Sequence, residues 1–189
     1  MPRYTDAVPA SVTAVPARRP WQEWVTLAAR LVLGGVLLVA GLLKVTQLDA
    51  SVQSVRLYQL LPWEVTAAVG AALPIVEIIV GLLLITGTFT RLSAVAGSLL
   101  MLAFIIGIAS VWARGISIDC GCFGGGGEVE ASQTQYPAEI ARDLGLLLAG
   151  AWTVWRPRSP FAVDGWLFAA PAPSDDPVPT NEDEKEPTR

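Results

Sequence analysis

The chain has 189 residues, of which 52% are hydrophobic and 16% are charged, and its formal net charge is −4. This composition is too apolar for an ordinary soluble domain and indicates a membrane protein. The lack of histidine weighs against an axial-histidine haem, a histidine zinc site and Ser/His or Cys/His catalysis. No basic patch interleaved with aromatic residues indicates nucleic acid as a partner.

Long apolar segments predict an all-α, integral membrane four-helix bundle. The first three segments are residues 25–43, 66–86 and 92–113, and each is close to the roughly 20 residues that a bilayer core requires. We interpret the first as an uncleaved span, because a secretory signal has a shorter apolar region followed by a small-residue cleavage site.

The fourth segment, residues 139–155, is weaker, because Arg142 and Asp143 interrupt its first turn. It is still predicted to span, since a charged pair near a helix end can face protein or reach the interface. Tryptophans at the ends of the predicted spans support their boundaries, because this residue favours the membrane interface. They are Trp21, Trp24, Trp63, Trp112 and Trp155.

The ends of the chain lack the pattern of a packed core. Residues 1–20 are rich in Pro, Ala, Ser and Thr, and residues 158–189 are acidic and rich in Pro. Both are predicted to be disordered tails. The four-span membrane domain is therefore predicted to cover residues 21–157.

Two connections between the spans are long. Residues 45–63 are predicted to hold a short helix along the membrane surface, with Asp49 as its cap and Pro62 at its end. Residues 114–138 form the other long connection and contain both cysteines. The residues expected on one face of the short helix are Val52, Val55 and Tyr58.

The distribution of basic residues predicts the orientation. Arg18 and Arg19 precede the first span, and basic residues beside the first span favour the cytoplasmic side. We therefore expect a multi-pass protein of the cell membrane with both termini in the cytoplasm. The cysteine loop is then extracytoplasmic, where disulfides persist. Arg91, Arg156 and Arg158 support this orientation, and Lys44, Arg56, Arg114 and Arg142 lie on the opposite side.

Cys120 and Cys122 are the two cysteines of the chain, and Gly121 separates them. Such a pair can close a small, strained ring, and strain makes a disulfide easier to reduce. The ring encloses too little chain to stabilise the fold, so the spacing favours a redox pair. Without a second pair, the electrons must come from or go to a partner protein or a small redox molecule.

Other roles for the cysteines stay open at this point. A passive disulfide, idle thiols and a Cu(I) ion held by two thiolates are the alternatives. Zinc is less favoured, because its remaining ligands would have to be carboxylates. The nearby carboxylates are Asp119, Glu128 and Glu130.

Glu77 lies in the middle of the second span, where a carboxylate is costly and often functional. We expect it to be protonated or paired with Arg30 of the first span, with a packing hydrogen bond as the plain alternative. Arg142 and Asp143 are expected to form an interfacial ion pair beneath the cysteine loop, in a packing or a catalytic role.

Four segments in a fixed order carry a family resemblance: "RLVLGGVLLVAGLLK", "YQLLP", "LPIVEIIVG" and "DCGCFG". They resemble the MauE branch of the DoxX-like membrane proteins over about residues 25–156. The resemblance implies a four-helix membrane protein with Cys120 and Cys122 as its redox pair. The family is associated with methylamine utilisation and with disulfide formation in a periplasmic dehydrogenase subunit, although no residue here points to methylamine itself.

These observations predict thiol–disulfide exchange with an exported protein that carries a thiol or a disulfide. Cys120 and Cys122 are the expected reactive residues, and Glu77, Arg142 and Asp143 are further candidates for the catalytic site. No cofactor or metal signature is evident, and a quinone of the lipid bilayer stays open as an electron acceptor. The alternatives are a non-enzymatic maturation or assembly factor, a Cu(I) carrier and, with little support, a transporter.

Overall fold

The computed structural model describes residues 20–123 and 125–164. Helices and connecting loops make up this part of the chain, and no strand longer than an isolated bridge occurs in it. Residues 1–19 of the predicted N-terminal tail and residues 165–189 of the predicted C-terminal tail lie outside the described residues. The α-helices are α1 (Pro20–Val45), α2 (Leu48–Leu57), α3 (Trp63–Thr86), α4 (Thr90–Ala113) and α5 (Tyr136–Trp155), and a 3-10 turn covers Ala131–Gln133.

Three of the described helices are long and apolar enough to cross a membrane, over Trp21–Val45, Trp63–Thr86 and Thr90–Ala113. The shorter and more polar α5 packs along α4 and α1 as a fourth helix. The predicted all-α membrane bundle is therefore confirmed. The apolar side chains that the bundle leaves exposed, such as Leu92, Leu99 and Leu148, are suited to lipid contact.

The bundle consists of two closely packed helix pairs, α1 with α3 and α4 with α5. Small residues let α1 and α3 approach, as is common in membrane helices. A Cβ added at Gly41 would lie 2.7 Å from the carbonyl oxygen of Pro74, and one at Gly34 would lie 3.0 Å from that of Gly81. The core between the pairs contains Leu33, Leu37, Val80, Leu84, Ala94, Met101 and Leu146.

The predicted short helix forms, but its details differ from the prediction. It begins at Leu48, so Asp49 lies in its first turn and is not its cap, and it ends at Leu57, before Pro62. Its buried residues are Ser51 and Ser54. The hydroxyl of Ser51 donates a hydrogen bond of 2.7 Å to the carbonyl of Gly70 in α3. A polar contact therefore fastens α2 to the bundle. The predicted apolar face of Val52, Val55 and Tyr58 is half-buried.

The segment after α5 packs against the end of the bundle that holds the α3–α4 link. The carboxylate of Asp164 accepts hydrogen bonds of 2.7 Å from the backbone N–H groups of Phe89 and Thr90, where α4 begins. Ser159 accepts one of 2.7 Å from Arg30. Residues 158–164, which composition alone assigns to the tail, thus make cap contacts with segments distant in sequence.

Replacing Asp164 by Ala is expected to destabilise the protein by about 1 kcal/mol, the usual loss when a helix cap is removed. Burial raises the pKa of Asp164, but the N–H donors of Thr90 and Phe89 outweigh burial and hold it below the ordinary value. The contribution is therefore present above about pH 4, the unfolded value, and disappears as the pH falls through the lower folded pKa. Unfolding midpoints in detergent at pH 7 and pH 3 check this, with Asp49→Ala as control. A deficit that persists unchanged at pH 3 would contradict it.

Candidate functional site

The cysteine loop between α4 and α5 folds back on itself. A single antiparallel bridge joins Ile118 to Glu128, and the N–H of Asp119 donates a hydrogen bond of 3.0 Å to the carbonyl of Gly127. The buried hydroxyl of Tyr136, at the start of α5, accepts a hydrogen bond of 2.9 Å from the N–H of Ile118. The two cysteines therefore lie in a turn whose base is fixed to the bundle.

Helix α2 holds the turn from the side. The hydroxyl of Tyr58 donates a hydrogen bond of 2.9 Å to the carbonyl of Cys120, and that of Ser54 donates one of 3.3 Å to the carbonyl of Gly125. A Cβ at Gly121 would lie 2.6 Å from the Ser54 oxygen, and Gly121 has a φ of +66°. Glycine is needed here for both the left-handed backbone and the close approach of α2.

The two cysteines are free thiols, and both are buried, with 9% of Cys120 and 7% of Cys122 exposed. The backbone N–H of Cys122 points to the sulfur of Cys120 at 3.4 Å. Among the described residues of the turn, the exposed ones are Asp119, Phe123 and Gly125. These exposed residues therefore lie between the two thiols and the surface of the protein.

Beneath Cys122 is a narrow cavity between the two helix pairs. Glu77 of α3 and the Arg142–Asp143 pair of α5 line it together with Cys122. The apolar part of its wall includes Leu37, Met101, Phe104 and Leu146. The structure thus brings Glu77, Arg142 and Asp143 together at one cavity with Cys122, and places Cys120 directly beside it.

The partner of Glu77 differs from the prediction. Its Oε1 lies 2.6 Å from the Nζ of Lys44, in an ion pair that is almost completely buried. Arg30 instead donates to Ser159 and lies against Gly87, near the opposite end of α3. The expected pairing of Glu77 with Arg30 is therefore wrong, because the antiparallel packing of α1 on α3 places the last turn of α1 opposite Glu77.

The second ion pair is the one that the sequence indicated. A nitrogen of Arg142 lies 2.9 Å from Oδ1 of Asp143, whose side chain is only 3% exposed. The guanidinium also lies over the ring of exposed Phe123, 5.0 Å from its centroid. Arg142 therefore contacts both the buried carboxylate of Asp143 and the exposed ring of Phe123.

Each buried carboxylate keeps one oxygen without a hydrogen bond in the described part of the chain. These atoms are Oε2 of Glu77 and Oδ2 of Asp143. A buried polar atom without a partner is costly, so both atoms are suited to accept a proton or a hydrogen bond from a group in the cavity.

The two thiols have unequal acidity. A hydrogen bond from the Cys120 thiol lowers the pKa of Cys122, and the charges of Lys44 and Arg142 lower it further, against the opposing effects of burial and Asp143. The same hydrogen bond, with burial, raises the pKa of Cys120. Cys122 is therefore the sulfur that ionises first and the better nucleophile of the pair, and Cys120 is the more weakly acidic thiol.

In the reduced protein, Cys122 is expected to react with iodoacetamide at lower pH than Cys120, because its thiolate forms first. Rates of modification between pH 5 and pH 9, resolved by peptide mass, test this order. The matched control is a protein unfolded in denaturant, in which the two rates should converge. Faster modification of Cys120 at every pH would contradict the assignment.

Several residues near the thiols were not singled out as candidates from the sequence. Lys44 follows an apolar segment and resembles an ordinary interfacial lysine. Only its burial in the structure indicates that it belongs to the site. Glu139 approaches Cys120 and Asp119, and one ligand atom from each of the three lies within 4.8 Å of the others. Tyr58 was assigned to a surface helix, and no local signal predicts its hydrogen bond to the loop.

The fold and the site define a helical membrane bundle with a buried dithiol above one buried and one partly exposed ion pair. Residues 22–156 match the family model described as "Methylamine utilisation protein MauE". The chain belongs to this family, which confirms the resemblance found in the sequence. No curated protein and no solved structure matches the chain.

Proposed function

We propose that this protein exchanges disulfides with an exported partner protein through Cys120 and Cys122. The observation that carries the proposal is a pair of free thiols with unequal acidity beside a cavity lined by buried charges. A dithiol that served only to stabilise the fold would need neither the unequal acidity nor the cavity. The orientation proposed from the basic residues places this loop outside the cytoplasm.

The exchange is balanced in atoms and electrons. In one direction, the Cys122 thiolate attacks a partner disulfide and forms a mixed disulfide, and one partner sulfur leaves as a thiolate that takes up a proton. Cys120 then loses its proton, attacks the Cys122 sulfur and releases the partner as a dithiol. The protein ends as the Cys120–Cys122 disulfide, and the two electrons have passed to the partner.

The reverse direction generates a disulfide in the partner. A partner thiolate attacks the Cys120–Cys122 disulfide, and the protein ends as the dithiol. A ring closed by cysteines two apart is strained, and strained disulfides are the more oxidising ones. This favours the oxidation of the partner. Renewal of the ring passes two electrons to an acceptor, for which we propose a membrane quinone.

Thiol labelling on intact cells tests the proposal. An impermeant alkylating reagent should modify Cys120 and Cys122 after mild reduction, and the mass of the untreated protein should show an oxidised fraction. Sulfurs that stay reduced in growing cells, or that only a membrane-permeant reagent reaches, would refute exchange on the exported side.

Binding of a soft metal by the two thiols is the second candidate, and ligand atoms of Asp119, Cys120 and Glu139 also lie within 4.8 Å of one another. Cys122 adjoins this cluster, and Oε2 of Glu139 is buried without a hydrogen bond. This function predicts one Cu(I) bound per reduced chain and none per oxidised chain. Loss of binding in Cys120→Ser, with binding retained in Ser117→Ala, would support it.

A non-enzymatic maturation or assembly factor is the remaining alternative. It predicts that a variant with both cysteines replaced by Ser still matures the partner. Loss of maturation in that variant would exclude it.

A further inference from the structure

We infer that Lys44 is a positioning residue for the thiol pair: its buried ammonium holds Glu77 at the cavity beneath Cys122 and supplies a positive charge to the thiolate. The role in exchange rests on the proposed function, whereas the effect on the thiolate does not. Lys44 is not a catalytic residue in this scheme, because it acts through Glu77 and through its charge.

The position of the Lys44 side chain is the first argument. Lys44 lies in the last turn of α1, and a lysine at the end of a span usually extends its ammonium to the interface. Here the residue is 4% exposed, and Nζ lies 2.6 Å from Glu77 and 4.9 Å from the centroid of the Phe104 ring. Burying a charge is expensive, so this inward orientation needs a compensating role.

The free oxygens of the carboxylates are the second argument. Glu77 is fully buried and Asp143 is 2% exposed, and both residues line the cavity. Each has one oxygen without a hydrogen bond in the described part of the chain. With both ion pairs intact, the two cations and the two carboxylates cancel. A thiolate at Cys122 then adds one negative charge to a site of low polarity, which is unfavourable unless a positive charge is released nearby.

A proton transfer within the cavity resolves this imbalance. The proton of Cys122 moves to the free oxygen of Glu77 or Asp143, so that a thiolate and a neutral carboxyl replace a thiol and a carboxylate. The net charge of the cavity stays constant. When Glu77 takes the proton, the charge of Lys44 is no longer cancelled and it stabilises the thiolate.

The charge balance around Cys122 depends on the groups that each neighbouring helix contributes. Helix α4 contributes Phe104 and Met101, which carry no charge. The titratable and charged groups around the thiols are Lys44 of α1, Tyr58 of α2, Glu77 of α3, Asp119 and Cys120 of the loop, and Tyr136, Glu139, Arg142 and Asp143 of α5.

The test measures the rate of alkylation of Cys122 against pH in full-length protein in detergent, with peptide mass to identify the site. Lys44→Met should move the midpoint to higher pH and slow the reaction at pH 7 by about threefold or more, since a tenfold change corresponds to one unit of pKa. Lys44→Arg, which keeps the charge, should restore most of the rate. Arg91→Met removes an exposed charge at the far end of α4 and is the matched control.

Glu77→Gln should act in the opposite direction, because it leaves the charge of Lys44 uncancelled, and should speed the reaction at pH 7. This second variant keeps the test valid if Lys44→Met fails to fold. A merely structural role for Lys44 would not produce opposite shifts in the two variants. A folded Lys44→Met protein with the wild-type profile would overturn the inference, as would a Glu77→Gln protein that is not faster than wild type.

The readout needs no partner protein. If exchange fails while the opposite shifts appear, the proposed function is wrong and the role of Lys44 stands. If exchange occurs and neither variant moves the profile, the role of Lys44 is wrong and the proposed function stands.

Discussion

In the direction that reduces a partner disulfide, Cys122→Ser is expected to abolish the exchange, whereas Cys120→Ser is expected to stop the reaction at a mixed disulfide with the partner. The difference follows from the unequal acidity of the two sulfurs. Without Cys122, burial still raises the pKa of the remaining Cys120 thiol and makes it a poor nucleophile. Without Cys120 the attacking sulfur remains, with Lys44 and Arg142 still lowering its pKa, but no second thiol is present to resolve the mixed disulfide.

The measurement is a non-reducing gel of membranes from cells trapped with acid and alkylated. The Cys120→Ser protein should form a complex larger than the monomer that disappears on reduction, and the Cys122→Ser protein should not. Ser117→Ala, in the same loop, is the matched control and should behave as wild type. Full exchange activity in both cysteine variants would remove the proposed function. A trapped complex in Cys122→Ser alone would reverse the roles of the sulfurs.

Hydropathy predicted most of the fold, because a membrane-spanning helix must form all its backbone hydrogen bonds internally and must expose apolar side chains to lipid. These demands leave a strong local pattern, and α1, α3 and α4 follow the predicted segments closely. The Cys-Gly-Cys spacing and the mid-span position of Glu77 are equally local, so both were recognised without a structure.

Which side chain pairs with Glu77 could not be predicted, because helix register is not a local property. Arg30 and Lys44 lie on the same helix, and hydropathy does not indicate which end of α1 faces Glu77. The register follows from close contacts, with Gly34 against Gly81 and Gly41 against Pro74. Those contacts place Lys44 beside Glu77 and Arg30 at the other end of the pair.

The glycines of the cysteine loop also have a role that depends on contacts distant in sequence. In the sequence they indicate a flexible segment that relaxes the limits on ring closure. In the structure Gly121 also makes room for Ser54 of α2, while Tyr58 binds the carbonyl of Cys120. A contact between two segments so distant in sequence leaves no local signal, so the support that α2 gives to the thiols could not be predicted.

Gly81→Ala is expected to separate α1 from α3. The added Cβ would lie 2.8 Å from both the carbonyl oxygen of Gly34 and the backbone nitrogen of Leu38, and no side-chain rotation can relieve a clash with backbone atoms. We expect a loss of about 3 kcal/mol or more, at the upper end of the cost of overpacking. Gly35→Ala is the matched control, because no atom lies within 4 Å of its added Cβ.

The two glycine variants also test how the helix pair supports the site. Gly81 lies one turn after Glu77 on α3, so separation of the helices should lengthen the Lys44–Glu77 contact and weaken the charge balance beneath Cys122. Chemical unfolding in detergent should show a lower midpoint for Gly81→Ala and an unchanged or slightly higher one for Gly35→Ala, since Ala favours a helix more than Gly. The alkylation profile of Cys122 should change only in Gly81→Ala. Equal midpoints in the two variants would show that the close approach of α1 and α3 does not hold the site together.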